Sequence, residues 1–430
     1  MSVLQVDMLL LLFCFSEKGV KKLSIREISR KTSAKLSEVK KSLKKLEEDG
    51  YVTVSKDECS LTEEGTQSVL SYFETEKRLY WSILEKDKFM MELREWTKSK
   101  DELIRDLLNE ERTLMTHSKW DNIFLVARRW NSYTPALPAI ESLGFGGGYF
   151  LAWNGKGLVI DPGYNFLRIL RECTNKELGL VDIDGILITH DHPDHTAGLE
   201  DILTLIREEN RIRKHHLDLF CNIGALYKFE YRITKLSRYI TCYPLRPGTT
   251  LDLSEKYNFT IHATPAFHKE TWGESKYSIG TIFDLHKKCR IGITSDTRWH
   301  QDLISAYLGT DLLVMHLGTL EAKNSALPNH LGSLGAYLLL KHVHPKLSLV
   351  SEFGEELKGQ GRYMIGKFLS RIFSKKSMIC KVLPADIGLT IKLPSLDVYC
   401  QTCNAFHAFQ SIDFKEFGDE IKYVHLKGKL

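Results

Sequence analysis

Between Thr189 and His195 the chain reads Thr-His-Asp-His-Pro-Asp-His, directly after the apolar run Ile186-Leu187-Ile188. A β-strand that ends this way carries imidazoles and carboxylates to one point above a sheet edge. Three histidines and two aspartates within six positions are far more than a solvated polar loop needs. Imidazole and carboxylate donors together suit Zn²⁺, Mn²⁺ or Fe²⁺. The local sequence therefore demands a fold in which distant strand ends can close around such a loop.

Composition permits that fold and excludes others. A chain of 430 residues has room for two or three domains. Hydrophobic residues at 43% and charged residues at 27% are ordinary for a globular protein. A net charge of +4 supports no polyelectrolyte argument for the whole chain. Nine scattered cysteines show no disulfide-framework spacing and fit a reducing cytoplasm. The apolar run Met8 to Phe15 is too short to span a bilayer and lacks a basic segment before it. It is expected to form a buried helix, and no membrane partner is expected.

Residues 1–73 predict a compact order of helix, helix, helix and hairpin. A first helix runs from Val3 to Ser16. Ser24-Ile25-Arg26-Glu27 is a capping box opening a second. A third covers Glu38 to Glu48, with Val39, Leu43 and Leu46 on one face. Tyr51 to Val54 and Cys59 to Leu61 then flank the polar turn Ser55 to Glu58, and Thr62 to Gly65 opens the next helix. This order resembles the winged helix-turn-helix family of transcription regulators. Lys35, Lys40, Lys41, Lys44 and Lys45 fall on the outer face of the third helix. From Lys18 to Lys56 there are twelve Lys/Arg against five Asp/Glu. Such a patch can follow a phosphate backbone. No Arg, Asn or Gln lies between Lys35 and Leu46, so any nucleic-acid contact is expected to be sequence-independent. A protein-docking or homo-oligomerising role is the alternative. Residues 74–119, rich in Glu, Lys, Leu and Arg, predict a helical linker in which Trp81, Leu84, Phe89, Leu93 and Trp96 face a neighbour.

From residue 120 to 397 short β runs alternate with helices, which suggests sheets covered by helices. Ile123 to Arg129 reads as a strand. Tyr149 to Trp153 and Gly157 to Ile160 flank the hairpin signal Asn154-Gly155. Asp161, the loop His190-x-His192-x-Asp194-His195, then His268 and Asp296, follow in an order that resembles the motifs of the metallo-β-lactamase superfamily. The resemblance covers about residues 121–395. It implies an α/β fold, the αββα metallo-β-lactamase sandwich, here preceded by the winged helix and the linker. It also implies two divalent metal ions, with Zn²⁺ the first expectation and Mn²⁺ the alternative.

On that resemblance His190, His192 and His268 hold one metal, Asp194 and His195 hold a second, and Asp296 bridges them. Asp161 braces the histidine loop and is not a ligand. His262 sits inside the strand before His268 and reads as structural. Where family members place a late histidine, this chain has Glu352 after Leu347-Ser348-Leu349-Val350-Ser351. Glu352 is the expected sixth ligand and would harden the second site; His330 is its rival. His316 resembles the histidine that tRNase Z enzymes keep near the leaving group. The expected catalytic residues are Asp194, orienting a hydroxide generated between the metals, and His316 or His330, protonating the leaving group.

The run Thr294 to Arg298, and Thr196-Ala197-Gly198-Leu199 after the histidine loop, are similar to the tRNase Z-like and ascorbate-lactonase-like branches. Only 55 positions separate Asp296 from Ser351, so the inserted domain of β-CASP nucleases is absent. Lys269, Arg290 and Arg298 are cations that could meet a phosphate. The leading expectation is a metal-dependent phosphodiesterase or nuclease acting on nucleic acid. The alternatives are hydrolysis of a small ester, lactone or cyclic nucleotide, and a DNA-binding regulator with a metal-domain sensor. In the tail, 398–430, Cys400 and Cys403 form half of a zinc-ribbon pattern that His407, His425 or Cys380 could complete.

Overall fold

The computed structural model describes residues 1–17, 19–86, 88, 91, 101–106, 120–130, 146–271, 277–320, 330–354, 357, 360–374 and 380–426. It divides into two compact units, 1–99 and 100–430. Of the apolar positions expected in the linker, Phe89, Leu93 and Trp96, and the side chains of Trp81 and Leu84, lie outside the described residues.

The first unit holds helices α1 (Val3–Glu17), α2 (Ile25–Thr32), α3 (Leu36–Glu48) and α4 (Glu63–Lys86). Strands β1 (Leu23–Ser24), β2 (Val52–Ser55) and β3 (Glu58–Leu61) form a sheet in the order β1-β3-β2. Ser24 caps α2: its hydroxyl accepts from the Glu27 amide at 3.2 Å, and the Glu27 carboxylate accepts from the Ser24 amide at 3.0 Å. A cap of this kind is worth about 1 kcal/mol. Val39, Leu43 and Leu46 turn one face of α3 into a core with Met8, Leu9, Leu12 and Ile28. Each such side chain adds roughly 1.5–3 kcal/mol of burial, so a charge at Leu43 would unseat the helix. Lys35, Lys40, Lys41, Lys44 and Lys45 are all exposed. The turn expected over Ser55 to Glu58 is tighter than four residues, because both end residues join the ladder and Lys56 turns with φ 54°.

The second unit is built on two mixed sheets. The nine-stranded sheet runs β19 (Ala405–His407), β18 (Val398–Cys400), β17 (Thr390–Lys392), β4 (Ile123–Arg128), β5 (Gly146–Trp153), β6 (Lys156–Ile160), β7 (Gly185–Ile188), β8 (Leu217–Asn222) and β9 (Ile240–Leu245), and the seven-stranded sheet β10 (Thr250–Asp252), β11 (Thr260–Pro265), β12 (Ile279–Asp284), β13 (Arg290–Ile293), β14 (Leu312–His316), β15 (Leu347–Ser351) and β16 (Lys381–Pro384). The strands that carry the site are β4 (Ile123–Arg128), β5 (Gly146–Trp153), β6 (Lys156–Ile160), β7 (Gly185–Ile188), β11 (Thr260–Pro265), β13 (Arg290–Ile293), β14 (Leu312–His316) and β15 (Leu347–Ser351). β6, β7 and β8 (Leu217–Asn222) run parallel, as do β13, β14 and β15. Loops at the carboxyl ends of parallel strands form the crevice of such folds.

Alternation along the strands sorts side chains into layers. Phe124 and Val126 of β4, Tyr149 and Leu151 of β5, and Leu312 and Val314 of β14 fill the core between the sheets. Ile123, Leu125 and Ala127 face outward, where helices Phe166–Cys173, Pro193–Glu209 and Ile223–Lys235 cover the first sheet. Leu313 and Met315 face the helices Asp302–Tyr307, Ser333–Val343 and Gly361–Ser374 on the far side of the second sheet. Three apolar layers between two sheets and two sets of helices make the αββα sandwich. The segment after residue 397 is part of it: β18 (Val398–Cys400) and β19 (Ala405–His407) extend the nine-stranded sheet, and Phe414 and Tyr423 of the following hairpin enter the inter-sheet core. Among the described residues, no helix is long and apolar enough to cross a membrane.

Candidate metal centre

Five strand ends converge. β7 delivers the loop 189–192 and then the helix Pro193–Glu209, whose first turn begins with Pro193 after His192 at the N-cap. Pro suits that position because the first helical amide has no intrahelical acceptor. β6 ends at Asp161, β13 leads to Asp296, β14 ends in His316, and β15 leads to Glu352. Asp161, Ser295 and Glu352 have φ of 50°, 55° and 51°, uncommon for non-glycine residues. Backbone strain of this sort is held where the surroundings fix it, and here each left-handed residue lies at a strand end facing the site. Gly198 lets the helix come close: a Cβ there would lie 2.6 Å from the Gly163 carbonyl oxygen.

The donors form two groups that share one carboxylate. His190, His192, His268 and Asp296 offer ligand atoms that all lie within 4.8 Å of one another, and so do His195, Asp296, His316 and Glu352. Asp296 Oδ2 lies 3.9 Å from His190 Nε2, 3.8 Å from His268 Nε2, 3.7 Å from His195 Nε2 and 3.4 Å from His330 Nδ1. Its Oδ1 faces His316 Nδ1 at 3.2 Å. His192 Nδ1 is 3.1 Å from His268 Nε2. Asp194 belongs to neither tight group, yet its Oδ2 is 3.3 Å from His195 Nε2.

These residues fit divalent cations. His190 Nε2, both Asp194 carboxylate oxygens, Asp296 Oδ2 and Glu352 Oε2 are buried and make no hydrogen bond. Leaving such atoms unsatisfied costs about 1–3 kcal/mol each, more when charged, so a cluster of them marks a place for ions. Burial and the neighbouring imidazoles of His195 and His268 hold His190 well below its ordinary pKa, the neutral form that a metal requires.

The second shell is equally specific. Asp161 Oδ1 accepts from the Thr189 amide at 2.8 Å, and Oδ2 accepts from the Thr189 hydroxyl at 2.6 Å and lies 3.0 Å from His195 Nδ1. It braces the loop and orients His195, leaving Nε2 toward the donors. His316 Nε2 lies 3.0 Å from the Tyr149 hydroxyl, which donates to Ser351 Oγ at 2.8 Å. His316 Nδ1 faces the carboxylates of Asp296 and, at 3.1 Å, Glu352; burial opposes a charge there, but these two acceptors outweigh it and raise the His316 pKa, so Nδ1 carries a proton that a bound ion would displace. His316 therefore lies among the donors at 1% exposure. His330 is buried as well, at 5% exposure, with its ring 4.9 Å from that of His268.

Arg128 and Tyr149 are the site residues that the sequence reading missed. Arg128 has its guanidinium fully buried against Glu352 and His195, and it donates to the carbonyls of Asp194 and Gly147. Burial would raise the Glu352 carboxyl, but Arg128, then His316 and His195, hold it down at about 2. The signal was present in the alternation Phe124, Val126, Arg128, which puts an arginine at an inward position of an apolar strand. His262 lies outside the donor groups, its Nδ1 3.1 Å from the Thr250 hydroxyl. Lys269 and Arg298 are exposed beside His268 and Asp296. Arg290 stands at the opposite end of β13, engaged with Asp284 at 3.7 Å and the Leu308 carbonyl at 3.2 Å.

Two sheets, ligand-bearing strand ends and a shared carboxylate define a metallo-β-lactamase-type architecture. Residues 157–351 match the family described as the β-lactamase superfamily domain, and the chain carries a metallo-β-lactamase superfamily domain. It is 34% identical over 158 residues to the anti-Pycsar protein Apyc1 of Bacillus phage BSP38, a stretch covering 30% of this chain and 60% of that protein. It is 36% identical over 62 residues to a ribonuclease Z of Thermobifida fusca, covering 14% of this chain and 19% of that one. The chain thus spans less than two thirds of these relatives. The metallo-β-lactamase fold protein YhfI of Bacillus subtilis superposes with a TM-score of 0.49 at 17% identity, over 62% of this chain and 98% of that one.

Proposed function

We propose that the chain is a metal-dependent hydrolase of phosphodiester bonds in nucleic acid. The observation that carries this reading is Asp296, whose single carboxylate belongs to both donor groups. His190, His192 and His268 would hold one cation, and His195 and Glu352 the other, with Asp296 between them and Asp194 or His316 completing the second. Divalent ions bound there would supply Lewis acidity and lower the pKa of water toward neutrality.

The chain's own residues supply the rest. Asp194, with both carboxylate oxygens buried and making no hydrogen bond, orients the attacking water and accepts its proton. His330, whose ring is not held by Tyr149 and lies 3.4 Å from Asp296, gives a proton to the leaving oxygen. His316 is closed off by Tyr149 and serves the ligand set. Lys269 and Arg298, both exposed and close in sequence to His268 and Asp296, would meet the substrate phosphate. Resemblance to a protein named ribonuclease Z supports the phosphodiester class. The first unit acts as a winged helix whose exposed lysines Lys40, Lys41, Lys44 and Lys45 hold the polymer without reading bases.

Cleavage assays on single-stranded RNA, single- and double-stranded DNA, cyclic nucleotides and a generic phosphodiester test this, with Asp194→Ala as the control and elemental analysis alongside. Cutting of a polymer that the control loses supports the reading. Turnover confined to a small ester or lactone refutes it. Removing Lys40, Lys41 and Lys44 together should weaken all nucleic acids alike and flatten the salt dependence by about 2–3 in log–log slope.

A further inference from the structure

Away from this centre, the C-terminal strands bring a second set of soft donors together. Cys400 closes β18 and His407 closes β19, with Cys403 in the turn between them. The pairs Cys400↔Ala405 and Val398↔His407 set the register of that hairpin. The sulfurs of Cys400 and Cys403 and a ring nitrogen of His407 all lie within 4.8 Å of one another. The two thiols are not bridged. Four-coordinate Zn²⁺ with Zn–S bonds of about 2.3 Å requires donors roughly 3.5–3.8 Å apart, so the three need only small movements.

Two further observations point to an ion. The His407 Nε2 is buried and makes no hydrogen bond. His425, at the end of β21 (Glu420–His425), stacks on His407 with centroids 4.0 Å apart and planes at 4°. The ring of His425 thus lies against the third donor, and turning out of that stack would bring it to the fourth position. Cys380 is excluded: it sits in the core outside the other sheet.

We propose that Cys400, Cys403, His407 and His425 bind one structural zinc ion, separate from the hydrolytic centre, that pins the last hairpin to the edge of the nine-stranded sheet. Two thiolates and two imidazoles select zinc over magnesium or manganese. The site joins β18–β19, an edge hairpin, to β20 (Ile412–Phe417) and β21, whose Phe414 and Tyr423 enter the inter-sheet core.

The test uses the full chain carrying Asp296→Ala, which removes the shared ligand of the other centre. Elemental analysis should still find roughly one zinc per chain, and Cys403→Ser or His407→Ala in that background should lose it. Cobalt substitution should give a thiolate-to-metal charge-transfer band that Cys403→Ser abolishes. His425→Ala should weaken zinc by at least about tenfold in competition with a chelator. Cys403 is exposed, so its serine variant tests ligation without opening the core. Absence of zinc from the Asp296→Ala protein, zinc retained by Cys403→Ser, or an intact mass showing a Cys400–Cys403 disulfide would each overturn the proposal. Unchanged affinity in His425→Ala would remove His425 from the ligand set.

Discussion

Arg128 and Glu352, 224 positions apart in sequence, form an ion pair with both side chains fully inaccessible to solvent. The pair joins the end of β4 in one sheet to the end of β15 in the other, behind His195. It sets how much negative charge the second donor group presents to an ion, because one Glu352 oxygen faces Arg128 and the other faces His195 at 3.4 Å.

Arg128→Met is the sharpest test of that pair. It leaves Glu352 without its cation and frees the Asp194 and Gly147 carbonyls that Arg128 serves. Breaking a buried pair from one side costs about 3–5 kcal/mol. Chemical denaturation of the metal-depleted protein should show a loss of that size. Arg128→Met combined with Glu352→Leu should recover part of it, since the stranded charge is then gone. Equal instability of the single and double variants would mean that the arginine acts through packing and its carbonyl contacts, with no contribution from the carboxylate.

The two donor groups predict separable metal losses. Glu352→Ala should take occupancy from roughly two ions per chain to roughly one, and His192→Ala should remove the other ion. Asp296→Ala should disturb both, because its carboxylate lies in both groups. Titration calorimetry with Zn²⁺ or Mn²⁺ on protein whose C-terminal cysteines are replaced by serine isolates this centre. Stoichiometry unaffected by Glu352→Ala would give its place in the second group to His316 or His330.

His330→Gln separates ligation from proton transfer. If His330 protonates the leaving group, kcat on a phosphodiester should fall by about 10²–10⁴ with metal content intact. A substrate whose leaving group is a strongly acidic phenol needs no such proton, and its turnover should recover most of the loss. A variant that loses metal and shows no dependence on the leaving group would make His330 a ligand.

Much of this centre was legible before any fold was known, and the reason is local. His190, His192, Asp194 and His195 announce themselves by density, and Asp161, His268, Asp296 and Glu352 each follow an apolar run that ends in a turn. The core was legible through strand alternation. Arg128 and Tyr149 were not, because their roles depend on which strand ends face each other across two sheets. His316 was read as a residue of the leaving-group side. Its place in the ladder, inward like Leu312 and Val314, puts it beside Tyr149 instead. The tail hid its contribution for the same reason: β18 and β19 are three residues each and mean little until β17 (Thr390–Lys392) is there to pair with.

A pH effect on stability should come from His215, on the outer side of the first sheet. Its Nδ1 lies 2.6 Å from Glu209 Oε2 and its Nε2 lies 2.8 Å from the Ile183 carbonyl oxygen. Both partners are acceptors, so both ring nitrogens carry protons and the imidazole is cationic. Burial opposes that charge, but the hydrogen bond and field of Glu209 outweigh it and raise the pKa of His215. A raised folded-state value means that the stabilisation is complete below the unfolded value of about 6.5 and fades as pH climbs through the folded one. Relative to His215→Gln, the native chain should be more stable by about 1–3 kcal/mol in mildly acidic buffer, the range for a hydrogen bond to a charged group. The difference should shrink in alkaline buffer. Urea unfolding of both proteins at a series of pH values measures it, and a difference that stays constant or grows with pH would show that His215 is neutral in the folded protein.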